Sequence, residues 1–337
     1  MSNVSIIMPV YNKAEYLQET FGALLAQSWQ DWELIVVDDG STDESARRIN
    51  EFAQKDGRIC VVSQKNRGVS AARNRGLSMA TGEWIWFIDA DDLPDRNFLK
   101  NVFWKEYEDT VDVIAGMYQR LEKNGETTSV VLAEHGKIPP ETLPDLFMKY
   151  QYGTGYWGYL WNKLIRRTFL EKTKVSFLKG LSLAEDLKFM TALYREGAGV
   201  FLVPYLAMRY TVDATHASKE KKIDYLAQLA IQMEIKDWIV ERCGKKEYAK
   251  QFQWRISRYA AFVIFYGYEE QEDFIGHAKM LAENPKINPQ LCTDQIDLTM
   301  RPIVWCLKGR RYRLLKAYLS LREEMKKMAG KQKNDRE

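Results

Sequence analysis

The amino-acid sequence predicts an α/β protein: a mostly parallel central sheet flanked by helices, followed by a helical C-terminal region. Three observations lead there. Short apolar runs alternate with segments of helical period through the first hundred residues. Polar and acidic residues collect just after each apolar run. Beyond about residue 220 the period is helical throughout.

The elements follow in order. "VSIIMPVY" reads as a short buried strand. "KAEYLQETFGALLAQS" sets Tyr16, Leu17, Thr20, Phe21, Leu24 and Leu25 on one helical face. "WELIVVDDGS" is a second strand that ends in carboxylates and a turn. "STDESARRINEFAQKD" opens a helix with an N-cap and an acidic first turn. "RICVVSQ" is a third strand. "GVSAARNRGLSMAT" is a helix from near Ser70 to Gly82, with Ala71 and Ala72 suited to close packing on a sheet. "EWIWFIDADD" is a fourth strand. This order builds right-handed βαβ units on parallel strands. From 101 to about 215 helices mix with short strands, "VDVIAGMYQRL" and "VFLVPYLAMRYTV" among them. The expected division is a first domain over 1–218, with halves 1–100 and 101–218, and a helical region over 219–337.

Composition sets the class. A chain of 337 residues, 46% hydrophobic and 28% charged, is globular and able to bury a core. Four scattered cysteines without a CxxC pair read as reduced thiols. Three histidines at unrelated spacings argue against a histidine-based zinc site. The start lacks a basic n-region, and the longest apolar stretch falls short of the ~20 residues that span a bilayer. A cytoplasmic protein, soluble or peripheral on the inner face of the membrane, is expected. Net charge is +3, but unevenly placed. Residues 1–100 carry 11 basic and 15 acidic residues, while 308–331 carry nine basic and two acidic. No nucleic-acid partner is expected.

In an open parallel sheet the ligand sits off the carboxyl ends of the strands. Four such ends here carry polar residues: Tyr11 and Asn12, Asp38 and Asp39, Asn66 and Arg67, and Asp89 to Asp92. The crowded acids of "DADD" suit a hard divalent cation that in turn carries a diphosphate; the alternative is a solvated turn before a helix that begins at Pro94. "VVDDGSTD" suits a nucleoside, with a carboxylate for an imide N–H and the Tyr11 ring for stacking; an Asp-Gly turn with a helix cap reads equally from those letters. In "NRGVSAARNRG", Gly68 permits close backbone approach, and Arg73 or Arg75 suits a diphosphate.

Together "VSIIMPVYN", "WELIVVDDGSTDES", "NRGVSAARNRGL" and "GEWIWFIDADD" resemble the nucleotide-sugar half of the family 2 glycosyltransferases, with their Rossmann-like GT-A fold. The resemblance implies an inverting enzyme that uses a nucleoside-diphosphate sugar, most often a UDP-sugar, with Mn²⁺ or Mg²⁺. By position it places Pro9, Tyr11 and Asp39 on the uracil, Asn66 and Arg73 near ribose and diphosphate, and Asp89 on the nucleotide sugar. Asp91 is the implied metal ligand, with Asp89 and Asp92 as alternatives and His216 as a further candidate. "GYLWNKLIRRTFLEK" resembles the family's Trp-x-Lys segment, which makes Trp161 a candidate for stacking on an acceptor sugar, with a place in the core as the alternative. "LSLAEDLKFM" resembles its Glu-Asp segment, which makes Asp186 the base and Glu185 its acceptor-side neighbour. Where members often have Gly before that pair, this chain has Ala184.

The Gln-x-x-Arg-Trp motif of processive members is missing from "QFQWRISRY", so transfer of one sugar per encounter is expected. The acceptor is expected to be a glycan or a lipid-linked sugar, in bacterial surface polysaccharide or glycoconjugate synthesis. The segment from Trp305 to Lys331 mixes aromatics with its basic residues, as in a helix that lies on an anionic membrane or one packed at a domain surface. Two other classes compete. A non-catalytic nucleotide-sugar-binding module fits the same strand ends. A nucleotidyltransferase fits less well, because "PVYNKAEY" has no glycine after the first strand.

Overall fold

A computed structural model describes residues 3–104, 106–121, 126–181, 183–211 and 223–334. His216 lies outside the described residues. The chain divides into two compact units, Met1–Lys221 and Lys222–Glu337.

In the first unit ten strands form one sheet: β1 (Val4–Val10), β2 (Trp32–Asp38), β3 (Ile59–Ser63), β4 (Trp84–Phe87), β5 (Leu93–Pro94), β6 (Val113–Leu121), β7 (Thr127–Val130), β8 (Gly136–Ile138), β9 (Lys163–Arg166) and β10 (Val200–Thr211). Its helices are α1 (Ala14–Leu25), α2 (Ser45–Ala53), α3 (Val69–Leu77), α4 (Phe98–Val102), α5 (Leu143–Thr154), α6 (Arg167–Thr173) and α7 (Glu185–Arg195). The main strand order is β3-β2-β1-β4-β9-β6-β10-β5. The first four strands are parallel, as the βαβ pattern requires. The second half is mixed: β9 runs antiparallel to both β4 and β6, whereas β10 returns parallel to β6.

Burial explains the continuous apolar runs. Ile6, Ile7 and Met8 of β1 are fully buried, as expected for a parallel strand covered on both faces. Helix α1 buries Leu17, Thr20, Phe21 and Leu24, a narrower face than the spacing predicts, with Tyr16 and Leu25 at its margins. Helix α3 lies close on the sheet. Ala72 packs on Ile35 and Val37, and a Cβ at Gly76 would meet Ile7 at 2.4 Å.

Three boundaries differ from the sequence reading. Helix α2 begins at Ser45 because Asp43 is used as a cap outside it: Oδ1 accepts from Ser45 N at 2.9 Å and Oδ2 from Ala14 N at 3.1 Å. One carboxylate thus starts two helices. Helix α3 stops at Leu77, because Gly82 is drawn against β1, its N–H donating to Ser5 Oγ at 2.8 Å. Pro94 opens no helix. It sits in β5, paired with Met208 of β10, and the next helix begins at Phe98.

The second unit is helical: α8 (Tyr225–Cys243), α9 (Lys246–Glu269), α10 (Phe274–Glu283), α11 (Arg301–Lys308) and α12 (Tyr312–Asn334), with a single 3₁₀ turn at Asn288–Gln290. Asp224 and Asp273 cap α8 and α10 through Ala227 N and Gly276 N. Among the described residues no helix is long and apolar enough to cross a membrane.

Candidate active site

The parallel strands end at one cavity of about 410 Å³. Pro9, Tyr11, Asp39, Asn66, Arg73, Asp89, Asp91, Asp92 and Glu185 all line it. The sequence-predicted donor residues are therefore gathered at one place, as the strand-end rule demands.

Local structure fixes each wall. After β1 the chain turns through Asn12, whose positive φ of 50° suits asparagine. Asn12 Oδ1 accepts from Thr42 N at 2.8 Å, which joins the loop after β1 to the loop after β2. Asp38 accepts from Ser41 N at 3.0 Å and forms the turn the letters "DDGS" suggest. Asp39 is buried. It accepts from Gln64 Nε2 at 2.8 Å, Arg67 N at 2.9 Å and Gly68 N at 2.8 Å, and so closes the loop that begins α3. A carboxylate has about four lone-pair sites, so one acceptor position remains for a ligand. Tyr11, by contrast, is largely exposed, with its ring open to stacking.

Arg73 is the hub. Its buried guanidinium donates from Nη2 to Asp89 at 2.9 Å, and from Nη1 to Asp186 at 2.5 Å and Glu185 at 3.2 Å. It also lies over the Phe177 ring at 5.4 Å. One side chain on α3 thus joins the acidic turn after β4 to the first turn of α7. Burial works against its charge, but Asp186, Asp89 and Glu185 outweigh that and raise its pKa. Arg75 is exposed and has no part in the cluster. The loop before α7 is tied to α3 a second time: Asn74 Nδ2 donates to Phe177 O at 2.8 Å, and Asn74 Oδ1 accepts from Phe177 N at 2.9 Å.

Asp186 does not itself line the cavity; Arg73 and Glu185, its immediate neighbours, do. Burial pushes the Asp186 carboxyl up to about 7; Arg73 opposes this, and Glu185 and Asp89 reinforce it. Helix α7 is entered through Ala184 in the left-handed region, at φ 62° and ψ 24°. A glycine there would adopt this conformation without strain, so the sequence departure at Ala184 leaves the turn in place at an energetic cost.

Three acids crowd the turn after β4. Asp89 pairs with Arg73, and Asp91 with Lys13 Nζ at 2.5 Å. Asp92 is buried and turned inward, its Oδ2 accepting from Asp89 N at 3.3 Å. Burial and its two acidic neighbours raise its pKa well above the ordinary aspartate value. Among the described residues no three His, Cys, Asp or Glu side chains converge as a ready metal cage. Mg²⁺ and Mn²⁺, however, are commonly held by one or two carboxylates and completed by substrate phosphate and water. Asp89 and Asp91, both at the cavity wall, fit that donor set. Asp92 fits it least.

One sequence expectation needs correction, and two residues were missed. Trp161 does not face the cavity. Its ring is 3% exposed, lies nearly parallel to Tyr159 at 4.7 Å and Tyr210 at 5.6 Å, and meets Tyr118 edge-on. Its place is an aromatic layer of the core, two residues before β9, where the rings of Tyr118, Tyr159 and Tyr210 cover it. The Trp-x-Lys lysine, Lys163, is likewise buried, donating to Tyr156 O, Tyr159 O and Asn162 Oδ1 at 2.6–2.7 Å. The positive partners of the acidic turn are not a metal alone: Lys13 and Arg73 hold Asp91 and Asp89. Lys13 lies three residues after the first strand, and the strand-end rule applied one residue beyond Asn12 would have found it. Tyr210, near the end of β10, reaches the cavity as a second aromatic beside Tyr11. The same rule finds it once β10 is placed beside β6.

This arrangement sets a cavity at the strand ends beside a buried arginine that bridges to a second acidic pair. The chain belongs to the Glycosyl transferase family 2, whose sequence profile matches residues 5–173. It is 31% identical to the uncharacterized glycosyltransferase EpsJ of Bacillus subtilis over 199 residues, 58% of this chain and 57% of EpsJ. It is 30% identical to the poly(ribitol-phosphate) beta-N-acetylglucosaminyltransferase TarP of Staphylococcus aureus over 193 residues, 56% of either chain. Such alignments span little more than half the length of these relatives. In three dimensions it resembles residues 1–349 of S. aureus TarS, solved with UDP-GlcNAc, at a TM-score of 0.67 and 18% identity, covering 96% of this chain and 92% of that one. That likeness shows the GT-A fold.

Proposed function

We propose that the protein transfers one sugar from a nucleoside-diphosphate sugar, a UDP-sugar by preference, to an acceptor hydroxyl with inversion. The observation that carries this is the meeting of Asp39, Asp89, Asp91, Arg73 and Glu185 at one cavity, with Asp186 bonded to Arg73. TarS was solved with UDP-GlcNAc and TarP is named for N-acetylglucosaminyl transfer, which supports a UDP-sugar donor in bacterial surface polysaccharide synthesis.

In this reading Tyr11 stacks on the base, with Pro9 against its edge and Asp39 accepting its imide N–H. Asn66 and Arg73 hold ribose and diphosphate. Asp91, with Asp89, would hold a divalent cation, which offsets negative charge on the leaving diphosphate. Asp186 accepts the proton of the attacking hydroxyl. A carboxylate raised to about 7 is a stronger base than an ordinary one and is still about half ionised near neutral pH. Arg73 holds it in place, and Glu185 lies on the acceptor side.

Residues 1–218 would carry the chemistry and 219–337 would dock the enzyme. Helix α12 exposes Leu314, Leu321, Met325 and Met328 along one stripe, while Leu315 and Leu319 are buried. With the basic excess of 308–331, the stripe suits an anionic membrane surface, where a lipid-linked glycan acceptor would lie. Co-sedimentation with anionic vesicles, compared with a Leu321→Glu, Met325→Glu variant, tests it; equal recovery of both proteins removes the idea.

The central test is a screen of nucleotide sugars by thermal shift with Mn²⁺, paired with detection of released nucleotide on a broad acceptor panel. Stabilisation by a UDP-sugar with turnover on an acceptor is expected. Binding without any turnover would make the chain a nucleotide-sugar-binding module instead.

A further inference from the structure

We propose that Lys13 is an internal counter-cation: its ammonium holds the Asp91 carboxylate in the metal-free protein, and a divalent cation displaces it toward the donor's diphosphate. The inference rests on the reading of Asp91 as the metal ligand. What carries it is the Lys13 Nζ to Asp91 Oδ2 contact of 2.5 Å between side chains only 23% and 13% exposed. Both residues line the cavity.

The backbone around Lys13 is pinned. Lys13 N donates to Ser45 Oγ at 2.9 Å, Ala14 N to Asp43 Oδ2 at 3.1 Å, and Thr42 N to Asn12 Oδ1 at 2.8 Å. Only the four-carbon stem is left to move, and a lysine ammonium is a compact charge that re-aims without loss of bidentate geometry. Without a cation the acidic turn gathers Asp89, Asp91 and Asp92, with Lys13 paired to Asp91 and Arg73 to Asp89. Arg73 cannot leave, because three carboxylates hold it. Lys13 is held by one carboxylate, with the Tyr16 ring 5.1 Å from its ammonium. It is therefore the charge that yields.

Competition of this kind lowers the apparent affinity for the cation until a second ligand receives the released ammonium. Nucleotide diphosphate is that ligand. Metal and nucleotide then help one another to bind, by equal factors. The lysine thus discourages an idle metal and rewards a metal that arrives with donor.

The test is Mn²⁺ binding to the full chain, read from the EPR signal of free Mn²⁺, with and without saturating UDP. For Lys13→Met we expect Mn²⁺ alone to bind about tenfold tighter than to the wild type, the scale of a part-buried charge pair. With UDP present that advantage should vanish, because the wild-type lysine has moved to the diphosphate. Lys13→Arg, which keeps the charge, should stay close to wild type without UDP. A melting temperature near wild type shows that Lys13→Met folds. Unchanged Mn²⁺ affinity without UDP overturns the proposal. So does an equal gain with and without UDP, since a lysine that merely repels the cation would act in both states. If no protein binds Mn²⁺ even with UDP, the metal reading of Asp91 fails as well; binding by all three at equal strength sinks the counter-cation alone.

Discussion

Arg73 Nη1 donates to Asp186 Oδ1 at 2.5 Å across 113 residues of sequence. This bond joins the two halves of the site. Arg73 belongs to the helix that follows the third strand, and Asp186 to the first turn of α7. The same guanidinium holds Asp89, so the proposed donor side and the proposed base share one cation. A single rotation of Arg73 would uncouple them.

The first prediction concerns pH. Asp186 is raised from 3.8 to about 7, chiefly by burial. As the proposed base it must be ionised, so kcat/KM should fall as pH drops through about 7 and level off above it. Stability moves the opposite way. The native state holds a proton that the unfolded state releases between about 4 and 7, so this group's contribution is complete below that window and lost as pH rises through 7. Asp186→Asn should remove both the rate limb and this slope while UDP-sugar binding persists. A wild-type transfer rate in that variant would falsify the base assignment.

Arg73→Ala leaves three carboxylates facing one another at a buried point. The loss should be about 3 kcal/mol, at the low end for a broken buried pair because the carboxylates reach solvent. Arg73→Lys should recover only a small part, since one ammonium cannot span the three acceptors. Urea denaturation of both variants measures this. A loss under about 0.5 kcal/mol, typical of surface substitutions, would show that Arg73 is no hub.

Much of this was legible in the letters, for a physical reason. Strand ends in a parallel sheet carry their polar residues to one side, so Asp39, Asn66, Arg73 and Asp89 needed only the order of the elements to be grouped. What was hidden depends on pairing between distant segments. Trp161 read as either a sugar platform or a core ring, and the packing of Tyr118 and Tyr210 against it decides for the core. Tyr210 was overlooked because β10 meets the site only after an antiparallel strand reverses the sheet. Lys13 was overlooked because a lysine before a helix reads as solvated, and its partner lies 78 residues away.

Trp161 and Tyr210 should therefore separate. Trp161→Ala removes a core ring and should cost about 3–5 kcal/mol of stability. Tyr210→Ala opens the cavity wall and should cost less, while it raises the KM for donor or acceptor. Denaturation midpoints and steady-state kinetics on both variants decide the matter. If Trp161→Ala keeps its stability but loses acceptor affinity, the ring does meet a sugar after all.

Ala184 offers the reverse test, a change that should stabilise. Its φ of 62° places an L side chain in the left-handed region immediately before Glu185 and Asp186. That conformation costs roughly 1–2 kcal/mol for a residue with a Cβ, and glycine avoids it, less the entropy glycine loses on folding. Ala184→Gly should thus raise stability by about 0.5–1 kcal/mol, as an increased urea midpoint at unchanged slope. The turn already has the geometry glycine prefers, so Asp186 should keep its bond to Arg73 and transfer should stay near wild type. A fall in stability would mean that the entry to α7 is not left-handed in solution, and the position of the Glu185–Asp186 pair would need to be redrawn.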